Sequence, residues 1–280
     1  MLLETLNLAI IQRLNDMVSV QELAINCVEI EPKITEFIKK NIKNSGLNGA
    51  IISASGGIDS SVTLHLTVNA LGPENVTVIT MPERDVTPEC DIMDVMLHCS
   101  QLNLTCNTVD ITPMLHVIQK NLHKYNPNDR ISSGNIRSRI RMIIAYHYAN
   151  VERKMVIGTS NKTELITGFF TKYGDGGVDL MPLADLYKYN IRQLAKHLEI
   201  PQNIVDKAPS PGFYRGHTDE EEFGCDYNTI DLIVYLWEKG YIKNEIVEEL
   251  KVEKTVVDSI LNRIKVNEHK RRFPLILRLS

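Results

Sequence analysis

The chain has 280 residues, 43% hydrophobic and 24% charged, which is ordinary for a soluble globular protein able to bury a sizeable core. Lys plus Arg is 31 and Asp plus Glu is 35, so the net charge of −4 argues against a general nucleic-acid or membrane-surface binder. No apolar run approaches a membrane span, and Met1-Leu2-Leu3-Glu4 lacks the basic segment of a signal peptide. Cys27, Cys90, Cys99, Cys106 and Cys225 include no C-x-x-C pair and, with His98, fit no zinc template; they read as reduced thiols of a cytoplasmic protein.

In chain order, residues 2–14 show an amphipathic helix pattern before Asn15-Asp16-Met17. A second helix is expected after Pro32, with Ile34, Ile38 and Ile42 inward and Lys39, Lys40 and Lys43 outward, ending near Gly46. Ile51-Ile52 reads as a buried strand, Gly56-Gly57 as a tight turn, and the apolar rows from Ile58 to Leu71 as a helix stopped by Gly72-Pro73. The pattern then predicts a strand over 76–80, a loop over 81–88, a helix over 89–101, a strand over 104–109 and a helix over 111–122. A loop over 125–129, a helix over 134–150 carrying Arg137, Arg139 and Arg141, and a strand over 155–157 follow. Residues 158–182 are polar and glycine-rich with a short helical piece near 164–166. Helices resume over 189–198, 226–239, 244–250 and 255–266, with a loop over 208–216 and a basic tail from His269 to Arg272. Strands separated by helices of this length imply right-handed crossovers and a parallel α/β sheet. Ligands of such sheets bind outside the carboxyl ends of the strands, so the loops after Ile52, Thr80 and Ile157 should converge.

Strand, glycine turn and helix at 51–61 make a phosphate site, because backbone N–H groups point outward at the positive end of a helix dipole. No Lys occurs from Gly49 to Gly72, so this is not a Walker loop. Asp59 with Ser55, Ser60 and Ser61 suits a departing pyrophosphate and Mg²⁺ instead, whereas Gly-Gly alone would be an ordinary turn with a helix cap. The string Ser-Gly-Gly-Ile-Asp-Ser resembles the loop of the N-type ATP pyrophosphatases, which cut ATP between its α and β phosphates. A second dense stretch runs Gly158-Thr159-Ser160-Asn161-Lys162-Thr163-Glu164 and on through 169–179, where Glu164 offers a second carboxylate and Lys172 and Asp179 flank a glycine turn.

These strings, with 134–142, 185–188, 218–221 and 269–271, resemble the ammonia-dependent NAD synthetases, and the likeness runs from about Pro32 to the basic tail. It implies a Rossmann-like, doubly wound parallel sheet of the adenine nucleotide alpha hydrolase type, with helices on both faces and further helices at the C-terminus. One domain would span 1–280, comprising an extension over 1–31, an ATP-binding core over 32–200, and a lid, helices and tail over 201–280. The implied activity is amidation of deamido-NAD by ammonia, with ATP as co-substrate and Mg²⁺ as cofactor, through an acyl-adenylate. Ser53, Ala54, Ser55, Gly56, Gly57, Ile58, Asp59 and Ser60 would surround the ATP phosphates, with Thr159, Lys188 and Ser210 also on ATP. Asp59 and Glu164 would bind Mg²⁺; Arg139, Lys172, Asp179, His269 and Lys270 would hold deamido-NAD; Asp175 would take a proton from ammonium and Lys188 would steady the departing charge. The family implies a homodimer with shared sites.

The likeness departs at Pro211, Phe213-Tyr214 and His217, in the expected lid, and at Phe273. Arg137 and Arg141 read as a solvated helix face, 219–222 as an acidic helix start, and Tyr146, Tyr148 and Trp237 as packing residues. Too few residues precede the core for a fused glutaminase, which points to free ammonia or a separate glutaminase subunit. The loop alone also permits a GMP synthetase subunit, a tRNA-modifying ligase or a non-enzymatic nucleotide sensor. The stretch 169–179 and the basic tail argue against the first two, and the presence of Asp59 and Glu164 against the third.

Overall fold

The computed structural model describes residues 18–209 and 219–279. The helix pattern over 2–14 and the segment 210–217, with Ser210 and the departures at Pro211, Phe213, Tyr214 and His217, lie outside the described residues.

Helix α1 (Cys27–Ser45) begins before Pro32 rather than after it and ends at Gly46 in the left-handed conformation. Pro32 offers no N–H to the carbonyl four residues earlier, but that carbonyl belongs to Val28, 69% exposed, so water can replace the bond. Ile34, Ile38 and Ile42 are buried as their spacing requires. Strand β1 (Ala50–Ser53) leads to α2 (Ile58–Leu71), β2 (Val76–Thr80) to α3 (Glu89–Gln101), β3 (Cys106–Thr108) to α4 (Thr112–Asn121) and α5 (Arg130–Glu152), and then comes β4 (Met155–Ile157). Strand β3 is shorter than the apolar pattern suggested because the N–H of Leu104 turns back to the carbonyl of Cys99 (2.8 Å) in closing α3. Helix α5 starts ahead of Gly134 because the Asp129 side chain caps it, accepting from the N–H of Ser132 at 3.1 Å.

The strands are all parallel, in the order β3-β2-β1-β4. Ile52 pairs with Val78 and Ile157, and all three side chains enter a core shared with α1, α2 and the later helix α7. Their neighbours Ile51, Ile79 and Val156 enter a core on the opposite face with Ile111, Leu115, Ile140 and Ile144. The period of two along each strand thus forces helices onto both faces, which is the doubly wound arrangement. Beyond β4 come α6 (Lys162–Thr167), α7 (Lys188–His197), α8 (Gln202–Val205), α9 (Asp219–Phe223), α10 (Tyr227–Glu238), α11 (Lys243–Leu250) and α12 (Lys254–Val266). These build a third core in which Tyr227, Ile230, Ile233 and Val234 of α10 meet Ile246, Val257 and Ile260. Among the described residues no helix is long and apolar enough to cross a membrane.

Ile52 is fully enclosed in the central strand. Ile52→Ala is expected to lower stability by about 2–5 kcal/mol through lost transfer energy and a residual cavity, read as a shifted urea midpoint with an unchanged far-UV spectrum.

Candidate functional site

The strand order reverses between β1 and β4, since β2 and β3 lie on one side of β1 and β4 on the other. The carboxyl ends of β1 and β4 therefore open onto the crevice where ligands of such sheets bind. The turn after β1 is closed by its own hydroxyls. Ser60 Oγ donates to the Gly57 carbonyl (2.9 Å) and lies 3.2 Å from Ser55 Oγ, which accepts from the N–H of Gly57 at 3.3 Å. Ala54 is tied to β2 through the Ile79 carbonyl (2.9 Å). Gly56 takes φ +81°, and a Cβ there would stand 2.6 Å from the Asp91 carbonyl oxygen, so only glycine fits this turn. Gly57 caps α2, whose first N–H groups have no partner within the helix.

Across the crevice, Asn161 caps α6 in a reciprocal box with Glu164, and its Nδ2 donates to Asp59 Oδ1 at 2.9 Å. Lys188, at the start of α7 and 2% exposed, places its ammonium against Asp59 Oδ2 and 3.8 Å from Glu164 Oε1. It also lies 4.9 Å from the ring centre of Tyr227. Burial, the largest influence on Lys188, pushes its pKa down, but Asp59 and Glu164 outweigh it and the ammonium ends above its ordinary value. Burial first, and the Asp59 charge second, push the Glu164 carboxyl well above the usual carboxylate range against the pull of Lys188. A carboxyl so placed seeks a cation. Asp59 and Glu164 together are a donor set suited to Mg²⁺, which takes one or two carboxylates and completes its shell with phosphate oxygens and water.

The sequence did not reveal what holds this cluster. Asp231 on α10 is fully buried, accepts from Thr163 Oγ1 and from the N–H of Tyr189 (2.8 Å), and so grips the residues next to Glu164 and Lys188. Tyr227 on the same helix donates to Asp219 Oδ2 at 2.6 Å. Asp219, at the acidic helix start read from the sequence, is 4% exposed and adds negative charge beside Glu164 and Lys188. An aspartate four residues after a tyrosine on an apolar helix was the available signal for this pair.

The residues expected on the second substrate gather around the loop 169–179. Ser138 Oγ donates to Asp175 Oδ1 (2.6 Å), and a Cβ on Gly174 would come within 2.2 Å of that hydroxyl. Thr171 donates through its N–H to Asp175 (2.9 Å) and through its hydroxyl to Asn135 (2.7 Å). Arg139 donates to the Lys172 carbonyl at 3.2 Å, and Lys172 Nζ to the His269 carbonyl at 2.9 Å. Lys270 Nζ donates to the carbonyls of Gly168 (2.6 Å) and Phe170 (2.8 Å), and Arg271 to that of Ile166 (2.5 Å), which makes the basic tail a clasp on α6 and its loop. Asp179 accepts from Tyr146 Oη (3.0 Å) and from the N–H of Val156 (2.8 Å). Thr159 follows β4 and is half-buried.

Two sequence readings need correction. Arg137 is not on a solvated face: its guanidinium makes a two-pronged pair with buried Glu83, at 2.5 and 2.9 Å. Arg141 donates to the Met81 carbonyl at 3.0 Å. Both belong to a helix row packed against the carboxyl end of β2, whose loop supplies the acceptors. Tyr146 packs against the core beneath α5 as read, and its hydroxyl also donates to Asp179.

A family profile described as NAD synthase matches residues 30–274. An NH3-dependent NAD+ synthetase of Methanosarcina acetivorans is 38% identical over 242 residues, covering 86% of this chain and 94% of that relative. The structure of an NMN synthetase from Francisella tularensis superposes with a TM-score of 0.81 at 30% identity, covering 91% of this chain and 100% of that one. An NH3-dependent NAD synthetase from Campylobacter jejuni gives a TM-score of 0.76 at 29% identity over 91% and 100% of the two chains.

Burial raises Asp231 to about 6, opposed by its hydrogen bond from Thr163. Because the folded value lies above the unfolded one, the stability it confers is complete below about pH 4 and is lost as pH rises through 6, on the order of 3 kcal/mol. Asp231→Asn lacks this titration. The stability difference between wild type and variant is therefore expected to move in the variant's favour between pH 4.5 and pH 7, measured by urea unfolding at each pH.

Proposed function

Since the chain belongs to the NAD synthase family, we propose that it amidates the carboxylate of deamido-NAD with ammonia, using ATP and releasing NAD, AMP and pyrophosphate. The observation that carries this reading is the meeting of Asp59 and Glu164 on one buried ammonium, that of Lys188, beside a glycine turn at the sheet's switch point.

A carboxylate does not react with ammonia in neutral water because its oxygen is a poor leaving group. Attack of the nicotinate oxygen on the α phosphorus forms an acyl-adenylate while the α–β bridging bond breaks and pyrophosphate departs. Ammonia then adds to the acyl carbon, AMP leaves and one proton is lost. Residues 53–60 and the N-terminus of α2 would surround the phosphates, Thr159 and Ser210 would complete the ATP contacts, and Lys188 would carry positive charge towards the departing oxygens. Mg²⁺ held by Asp59 and Glu164 would supply the remaining neutralisation of pyrophosphate. Arg139, Lys172, Asp179, His269 and Lys270 hold deamido-NAD. Asp175, steadied by Ser138 and Thr171, accepts the proton from the nitrogen.

The proposal places the ATP-binding core over 32–200, the extension before it, and the lid, helices and tail after it. Ammonia comes free or from a separate glutaminase subunit, in keeping with the NH3-dependent relatives. A cytoplasmic location accords with the free thiols Cys27, Cys90, Cys99, Cys106 and Cys225. A homodimer with shared sites is supported by the row Arg139, Ile143, His147 and Val151 along α5, where Ile143 and Val151 are 61% and 70% exposed. A second copy covering those apolar positions lies directly against Arg139.

With deamido-NAD, ATP, Mg²⁺ and ammonium the purified chain is expected to yield NAD, AMP and pyrophosphate in equal amounts; ADP and phosphate would reject the mechanism. The mononucleotide acid, offered in parallel, decides whether the activity is instead that named for the Francisella relative. Asp59→Asn and Glu164→Gln should each lower kcat by about a hundredfold or more with an unchanged far-UV spectrum at the assay temperature, while Tm falls because the buried Lys188 ammonium loses a partner. Ile143→Asp should shift the sedimentation coefficient from dimer to monomer, and a monomeric wild type would remove the shared-site part of the proposal.

A further inference from the structure

Lys207 has no part in the account above, yet it is built against the pyrophosphate loop. It lies after α8, two residues before Pro209, where the lid segment begins. Its ammonium is 2.8 Å from Asp91 Oδ1, touches Asp94 Oδ2, and donates to the carbonyl of Gly56 at 3.1 Å. Asp94 is 9% exposed and its other oxygen accepts from Asn203 Nδ2, so the carboxylate cannot swing away to water. The first turn of α3 is pressed against the loop, because the Asp91 backbone fills the space where a Cβ of Gly56 would stand. Two carboxylates are thus fixed next to the place where ATP brings its phosphates. At that range, within about a Debye length (8 Å at physiological salt), their repulsion is felt unless a cation sits with them.

The geometry points to Lys207 as a positioning residue for ATP: its ammonium offsets Asp91 and Asp94 beside the loop and fixes the carbonyl of the loop's first glycine. This rests on the reading that residues 53–60 hold the ATP phosphates. The side chain touches no substrate and acts only through the loop. Burial is the largest influence on Lys207 and lowers its pKa, but the two carboxylates prevail and keep it protonated.

The test is steady-state kinetics in varied ATP with deamido-NAD and ammonium saturating, together with Tm. Lys207→Met should raise KM for ATP by about tenfold, the factor expected when one charge-assisted contact is lost, while kcat changes by less than twofold. Lys207→Arg should recover most of that affinity. The triple variant Lys207→Met, Asp91→Asn, Asp94→Asn should return KM for ATP towards wild type, since no charge is left to offset. If Lys207→Met does not fold, Asp91→Asn with Asp94→Asn on the native lysine still decides, with KM for ATP expected at or below wild type. An unchanged KM in Lys207→Met, a fall in kcat alone, a triple variant as impaired as the single, or a raised KM in the double variant would each overturn the inference. Asp59→Asn run alongside separates the two levels: if it turns over normally the site reading itself fails, whereas an inactive Asp59→Asn with an unaffected Lys207→Met removes only this inference.

Discussion

Everything at the switch point depends on the ammonium of Lys188, held in the protein interior against two carboxylates in the first turns of different helices, α2 and α6. Burying that charge is costly, and the cost is met only while both acidic partners stay in place. The pairing therefore ties the turn after β1 to the loop after β4 even before a nucleotide enters. It also leaves Glu164 short of positive charge, as its raised pKa records. One cation for two largely enclosed carboxylates is an arrangement with room for a second, which under the proposed function a nucleotide bringing a divalent ion would supply.

The surrounding shell explains how so small a cluster is kept in register. Asp231 grips Thr163 and Tyr189, each adjacent in sequence to a residue of the cluster. Because α10 carries both Asp231 and Tyr227, the C-terminal core sets the geometry of a candidate site whose glycine turn and Asp59 lie in the α/β half. On the other side, α5 presents Asn135, Ser138 and Tyr146 at helical spacing to successive parts of one loop. Two helices remote from each other in sequence thus hold the two halves of the crevice.

The alternation of Ile51 with Ile52 and the apolar rows of the helices made the layered fold legible, because periodicity is a local property. Ser-Gly-Gly-Ile-Asp-Ser was legible as a tight glycine turn between a strand and a helix for the same reason. Arg137 and Arg141 were not: a row of arginines on a helix looks solvated until the partner loop is known, and Glu83 lies 54 residues away in sequence. Asp231 was missed because its four-residue spacing from Tyr227 names no partner, and its role depends on two backbone segments brought to it by the fold. Of the helix over 2–14, which the sequence also suggested, the described residues say nothing. Pro32 shows the opposite error, where a local rule was right about the lost bond but did not count the water available to Val28.

The clasp made by Lys270 and Arg271 has a consequence for biosynthesis. It joins the final residues of the chain to carbonyls about a hundred positions upstream, at Ile166, Gly168 and Phe170. A nascent polypeptide whose C-terminus is still inside the ribosomal tunnel has its sheet and its glycine turn already synthesised but no fastening for that upstream loop. The fastening of the loop at 166–170 therefore forms only after residues 270 and 271 have been made, well after the sheet that the loop follows.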